Sequence, residues 1–459
     1  MHNVFAPAHK SKVLIKLFQK FAGSRGRAPA GVWGRGCPVD TAAQQQRRPS
    51  RQARLGAPTI GYTKKETRTM SFPFALPMIT DGCCSCAELT GEDPDTICSE
   101  ERFLQDAEPL RQQKKQAIAA GVTALLSPTG GIMHNRLEDF GLDEQYEAMH
   151  ETLTGQVLSC AGKAPVGGVI CENLRLQEEY GETVFESAFF DHLEKMTLLK
   201  DTGAAFVWLE NFDKLWDMRA AVLAAQHIEL PVFVKIQVDE EGCTKSDTDY
   251  IAALVTLQAL GADAFGIECT AGAEHLARLI KRAFPHAEIP LIAAADFSAY
   301  TEKQLQRLID NGAAVFMDKS RRFSDKAVAF LKAGKVRFDE QSEKDSYAAA
   351  SYRQAFFLPQ NIEVSEPLPC RYDISDELID LDDSSANAIY CILESTDDAA
   401  GLADNADMSY LPFVIFTNDA TTLEAALRYY QGRLLVDAHC DIEEKTFQSI
   451  IQKYGAILY

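Results

Sequence analysis

The chain has 459 residues and a formal charge of −20, with 46% hydrophobic and 24% charged residues. That length exceeds one ordinary small domain, and the apolar content supports a buried core rather than global disorder. A sequence pI near 4.9 excludes generic nucleic-acid binding, which needs a basic face, and no apolar run reaches the roughly 20 residues that cross a bilayer.

The charge changes sign along the chain. Residues 1–69 hold 14 Lys and Arg against the two acids Asp40 and Glu66, a balance of +12, so the remainder carries −32. Within this leader Val13–Phe21 could form one short basic amphipathic helix. Such an Arg-rich, acid-poor segment reads as an organellar transit peptide, whereas Met70-Ser-Phe-Pro-Phe-Ala-Leu-Pro-Met78 reads as the start of the folded part. Residues 1–71 are therefore expected to be a leader outside the fold, disordered or an upstream or targeting extension. The body is expected in the cytoplasm, or in the mitochondrion if the leader acts as a transit peptide.

From Met78 onward short apolar runs alternate with helical patterns. The runs are Pro77–Asp81, Val122–Ser127, Pro165–Ile170, Ala205–Leu209, Val232–Val238, Ala264–Cys269, Pro290–Ala295 and Ala314–Met317. Phe185–Lys200 and Thr248–Leu260 are two of the intervening helices. Strands that alternate with helices pair in parallel through right-handed crossovers, and eight repeats over residues 72–335 fit a (β/α)8 TIM barrel. A doubly wound open sheet is the structural alternative. In a barrel the chemistry sits where strands end. Those ends carry Asp81-Gly82-Cys83-Cys84-Ser85-Cys86, Pro128-Thr129-Gly130, Glu210-Asn211, Asp239, Glu268-Cys269, Asp296 and Asp318-Lys319.

Residues 336–369 read as a polar linker with some helix at Lys344–Ala355. Residues 370–459 read as a small α/β domain with strands at Ala388–Leu393, Pro412–Thr417, Arg433–Val436 and Ala456–Tyr459 and helices at Thr421–Tyr430 and Glu443–Tyr454.

The order Asp81-Gly82, Pro128-Thr129-Gly130, Leu209-Glu210-Asn211 and Gly261-Ala262-Asp263-Ala264-Phe265-Gly266-Ile267-Glu268-Cys269 resembles the homocysteine S-methyltransferase family over about residues 75–335. The stretch Leu423–Arg433 resembles, loosely, half of the pterin-binding barrel that follows the homocysteine barrel in cobalamin-dependent methionine synthases. The resemblance implies methyl transfer to the thiol of homocysteine, in methionine and one-carbon metabolism. It implies that Asp81, Gly82, Thr129 and Glu210 contact the substrate, with Glu210 holding its amino group.

The family activates the thiol with zinc held by three cysteines, which meets the need for a thiolate. By resemblance Cys269 is the first ligand. The expected Cys-Cys pair falls at Lys319-Ser320, and neither residue ligates zinc. Cys83, Cys84 and Cys86, after the neighbouring first strand, are the candidate replacements.

The implied partner is a small thiol amino acid, with no nucleic acid or membrane. The methyl donor is unassigned, and a corrinoid or folate would come from a partner protein. Two other readings remain open. One is a zinc-less barrel that has lost catalysis and binds an amino acid or a protein partner. The other is an unrelated barrel enzyme using Glu210, Asp239 and Lys319 for acid–base or Schiff-base chemistry.

Overall fold

The computed structural model describes residues 72–82, 85–172, 182–320, 325–336, 338, 346–359, 361–371, 373–382 and 384–459. The expectations for the leader lie outside these residues. Each of the eight apolar runs is a strand: β1 (Met78–Asp81), β2 (Leu125–Ser127), β3 (Val166–Cys171), β4 (Phe206–Glu210), β5 (Val232–Val238), β6 (Ala264–Cys269), β7 (Leu291–Ala295) and β8 (Ala313–Asp318). All pair in parallel in the order β1-β8-β7-β6-β5-β4-β3-β2. The ring closes where Thr123 and Ala124 donate backbone N–H groups to Ile79 O at 2.9 and 3.0 Å. This is the (β/α)8 barrel; the open sheet is excluded by that closure.

Alternation along each strand sorts the side chains into two cores. Met78, Leu126, Val169, Trp208, Phe233, Ile292 and Met317 fill the lumen. Ile79, Leu125, Ile170, Leu209, Val234 and Phe316 face the helices. Gly167 makes room in the lumen: a Cβ there would lie 2.3 Å from the Phe206 ring. The Phe206 and Phe233 rings stack at 4.8 Å, and Phe72 and Phe74 each approach this pair at 5.3 Å. Aromatic packing therefore fills the lower lumen, and only residues one layer higher can meet solvent at the strand ends.

The helix Tyr250–Leu260 is buried at all eleven positions. A helix apolar all round must be covered on every face. Its outer cover comes from the segment after the barrel, where Gly455 packs so closely that a Cβ would lie 2.2 Å from Ala259 O.

That segment corrects one expectation. A helix is expected over Lys344–Ala355, but its described residues 346–355 form none; β9 (Ser346–Ala350) and β10 (Ala355–Pro359) pair as an antiparallel hairpin. Alanine-rich sequence favours a helix locally, but Ala350 exchanges backbone hydrogen bonds with Arg433 at 3.1 and 2.7 Å, and this distant pairing prevails. Then follow β11 (Leu368–Pro369), β12 (Ile389–Ile392), β13 (Phe413–Phe416), β14 (Leu435–Val436) and β15 (Ile457–Leu458), all parallel and in sequential order. Ahead of β12, Ser375–Asp382 forms a helix.

This small sheet is docked on the barrel helices, and the described residues lie within one compact unit, Arg68–Tyr459. Buried Arg219 donates to Leu427 O at 2.6 Å, to Arg428 O at 2.9 Å and to Tyr430 O. It thereby satisfies the last carbonyls of the helix Ala420–Tyr429, at the end where the dipole favours a cation. Arg428 makes a two-point contact with Glu186 at 2.5 and 2.9 Å and lies 4.7 Å from the Phe189 ring.

Candidate functional site

Above the aromatic layer the lumen turns ionic. Glu210 follows Phe206 and Trp208 on the inward face of β4, and Lys235 follows Phe233 on β5. By the same alternation Glu268 points inward from β6 and Lys319 from the end of β8. Lys235 Nζ lies 2.5 Å from Glu210 Oε1 and 2.8 Å from Glu268 Oε2. Lys319 Nζ lies 2.7 Å from Glu268 Oε2 and 3.8 Å from Glu210 Oε1. Trp208 Nε1 donates to Glu210 Oε2 at 3.0 Å. Four charges of alternating sign thus form a closed set across the barrel.

The set has a sealed half and an open half. The Lys235 and Glu210 side chains are 0% exposed, while Lys319 and Glu268 are 25% and 20% exposed. Burial disfavours the charged forms of Lys235, Glu268 and Lys319, and their partners outweigh it. Burial pulls Lys235 down, but Glu210 and Glu268 raise it overall. Burial pushes Glu268 up, but Lys235 and Lys319 hold it below the usual carboxylate range. Burial and Lys235 pull Lys319 down, and the two glutamates raise it. All of these shifts favour ammonium and carboxylate. An amine held as ammonium is a poor nucleophile, which counts against Schiff-base chemistry at Lys319.

The other sequence-predicted residues lie elsewhere on the rim. Asp81 faces the helix layer; it pairs with buried Lys114 and accepts from Leu126 N at 2.8 Å. Gly82 meets β8: a Cβ there would lie 2.6 Å from Lys319 Cα, so the missing side chain seats Lys319. The Thr129 hydroxyl donates to Val169 O at 2.7 Å and accepts from Val169 N at 3.1 Å. Asp239 accepts from the backbone of Glu241, Gly242 and Cys243 at 2.8–3.0 Å and so organises its own loop. Among these predictions, only Glu210 and Lys319 meet in the lumen. Lys235 and Glu268 were missed as partners. The signal was present: Val232-Phe233-Val234-Lys235-Ile236 places a lysine on the inward face of an apolar strand.

The homocysteine S-methyltransferase family model matches residues 78–338, the whole barrel. The chain belongs to this family. Two relatives are methionine synthases: that of Mycobacterium tuberculosis is 23% identical over 47% of this chain and 20% of its own, and that of Mycobacterium leprae is 27% identical over 24% and 10%. The chain thus spans a fifth or less of the length of these relatives. The metallated homocysteine methyltransferase MmuM of Escherichia coli matches at 18% identity and a TM-score of 0.47, over 56% of this chain and 95% of that one.

The family's zinc can be tested against the donors present. Cys269 Sγ donates to Asp239 O at 3.4 Å, and its side chain packs with the helix layer rather than the lumen. Cys86 is buried beneath its helix, with Sγ 3.7 Å from Pro128 O. Cys83 and Cys84 lie outside the described residues. Where the Cys-Cys pair is expected, the Lys319 ammonium is bound to Glu268. Among the described residues no group of three His, Cys, Asp or Glu could hold a metal ion. The donors among the described residues do not fit the family's zinc. Among the described residues no helix is long and apolar enough to cross a membrane.

Proposed function

We propose that this protein transfers a methyl group to the thiol of homocysteine. The observation that carries the reading is the match of the family across the full barrel, with a charged mouth at the end where barrel chemistry occurs. An α-amino acid carries an ammonium, and the open half of that mouth presents the carboxylate of Glu268. Glu268 receives the substrate ammonium by a charge-assisted hydrogen bond. Glu210 stands behind it, held by Lys235, and shapes the field rather than touching the amino group. Gly82 acts through the seating of Lys319, and Asp81 and Thr129 brace the rim.

The methyl donor is bound above the mouth, delivered by a corrinoid or folate partner protein, in keeping with the methionine synthase relatives. The free state of the nine described cysteines supports a reducing compartment such as the cytoplasm.

The test is methionine formation from L-homocysteine by the purified full chain, with methylcobalamin, a methyl sulfonium and betaine offered in turn. Methionine from any one donor supports the reading. Homocysteine binding with no turnover from any of the three, nor from methyltetrahydrofolate or a methyl-corrinoid carrier protein, would select the amino-acid-binding alternative instead.

A further inference from the structure

Methylation of a thiol needs the sulfur as thiolate, and an ordinary thiol near pKa 8.5 is mostly protonated at neutral pH. A cation beside the sulfur meets that need. Zinc does so in the family, and the donors among the described residues do not fit zinc. The mouth nevertheless holds a cation, at the chain position where the metal-binding pair is expected.

Lys319 is placed for this role by three independent contacts. Its backbone N–H donates to Ala295 O at 2.9 Å, which ties the end of β8 to the end of β7. Gly82 lets β1 close against its Cα. Glu268 holds its ammonium at 2.7 Å. An ammonium has three donors. Glu268 takes one, and Glu210 at 3.8 Å is too far for a second hydrogen bond. The side chain is one-quarter exposed, so donor capacity remains at the open end of the lumen. Lys235 cannot serve, because it is sealed beneath and shared by both glutamates.

We propose that the Lys319 ammonium replaces the metal as the counter-ion of the substrate sulfur, so that this protein binds homocysteine as a thiolate without zinc. The inference rests on the functional reading above. The thiol proton leaves to solvent, and the sulfur anion takes the free donor of Lys319. Glu268 is then shared between Lys319 and the substrate ammonium.

The experiment compares L-homocysteine with L-2-aminobutyrate, the same amino acid without its thiol, by calorimetry on the full chain. Zinc is quantified in the same preparations, before and after dialysis against a chelator. The expected result is a preference for homocysteine of about tenfold or more that survives chelation, as a charge-assisted contact to the sulfur would give. Lys319→Met should reduce the preference to about one while 2-aminobutyrate still binds, which shows that the mouth has folded. Lys319→Arg keeps the charge and should retain most of it. An unchanged preference in Lys319→Met would overturn the inference. So would one zinc per chain with the preference lost on chelation and restored by zinc, which leaves the functional reading standing. Absence of homocysteine binding with and without added zinc would remove both.

Discussion

Lys235 and Glu210 lie 2.5 Å apart on adjacent strands of the lumen, and neither side chain is exposed. Each neutralises a charge that the other's strand would otherwise bury alone. Removing one partner of a buried pair leaves an uncompensated charge, whereas removing both can be nearly neutral. Lys235→Met should therefore lower stability by about 3–5 kcal/mol in urea unfolding, and adding Glu210→Gln should recover a large part of it. Full additivity of the two losses would show that the residues are not coupled.

Gly82 tests the seating of Lys319. An alanine Cβ would sit 2.6 Å from Lys319 Cα and 2.7 Å from Asp318 O, both backbone atoms that cannot swing aside. Overpacking of this kind costs about 1–3 kcal/mol. Gly82→Ala should lower the thermal midpoint accordingly and weaken homocysteine binding more than 2-aminobutyrate binding. Equal weakening of the two ligands would separate Gly82 from the ammonium.

Glu172, at the end of β3, gives a pH dependence of unusual sign. Burial, and then the charge of Asp217, push its carboxyl up from 4.5 to about 7. Between these values the native state holds a proton that the unfolded chain has lost. Stability from this group is therefore present below pH 4.5 and falls as pH rises to 7. Glu172→Gln should be more stable than the parent above pH 7 by roughly 2–3 kcal/mol, and the gap should close below pH 4.5. A gap independent of pH would refute the assignment.

His150 acts in the opposite direction. It is buried beside Tyr146, with ring centroids 4.9 Å apart, and burial, then Lys195 and His134, lower its pKa from 6.5 to about 3. The native ring stays neutral while the unfolded one protonates, so stability falls as pH drops from 6.5 toward 3. His150→Phe should flatten this acid limb below pH 4.5, where Glu172 no longer titrates, in unfolding midpoints. The two groups oppose each other between pH 4.5 and 6.5, so the parent curve should be flatter there than that of either variant.

Arg219 tests the docking of the C-terminal sheet. It supplies donors to three carbonyls at the end of the helix Ala420–Tyr429. Arg219→Met leaves those buried acceptors without it, at a cost of roughly 2–4 kcal/mol. Hydrogen exchange should rise first across residues 420–436, while the barrel strands keep their protection. Uniform exchange over both parts would mean that they unfold together.

Much of the barrel is legible in the sequence because period-two strands and intervening helices are local patterns. The eight strand positions follow from short apolar runs, each matched within a few residues. The hairpin at β9 and β10 is not legible, since Ser346–Ala350 has helical composition and becomes a strand by pairing with β10 and, at Ala350, with Arg433. The burial of Tyr250–Leu260 on all faces is visible as unbroken hydrophobicity, but not what covers it.

The sequence by itself determined the alternation of strands and helices, the family, the absence of a cysteine pair at Lys319-Ser320, and the reversal of charge after the leader. Only the tertiary structure decided which carboxylates meet which cations. Glu210, Lys235, Glu268 and Lys319 lie on four strands, and barrel closure with strand register turns them to one lumen. Asp81, equally acidic and at an equivalent strand end, is one residue out of phase and turns to Lys114. Charge is a local property of the chain, whereas its pairing depends on the face and neighbours that closure assigns.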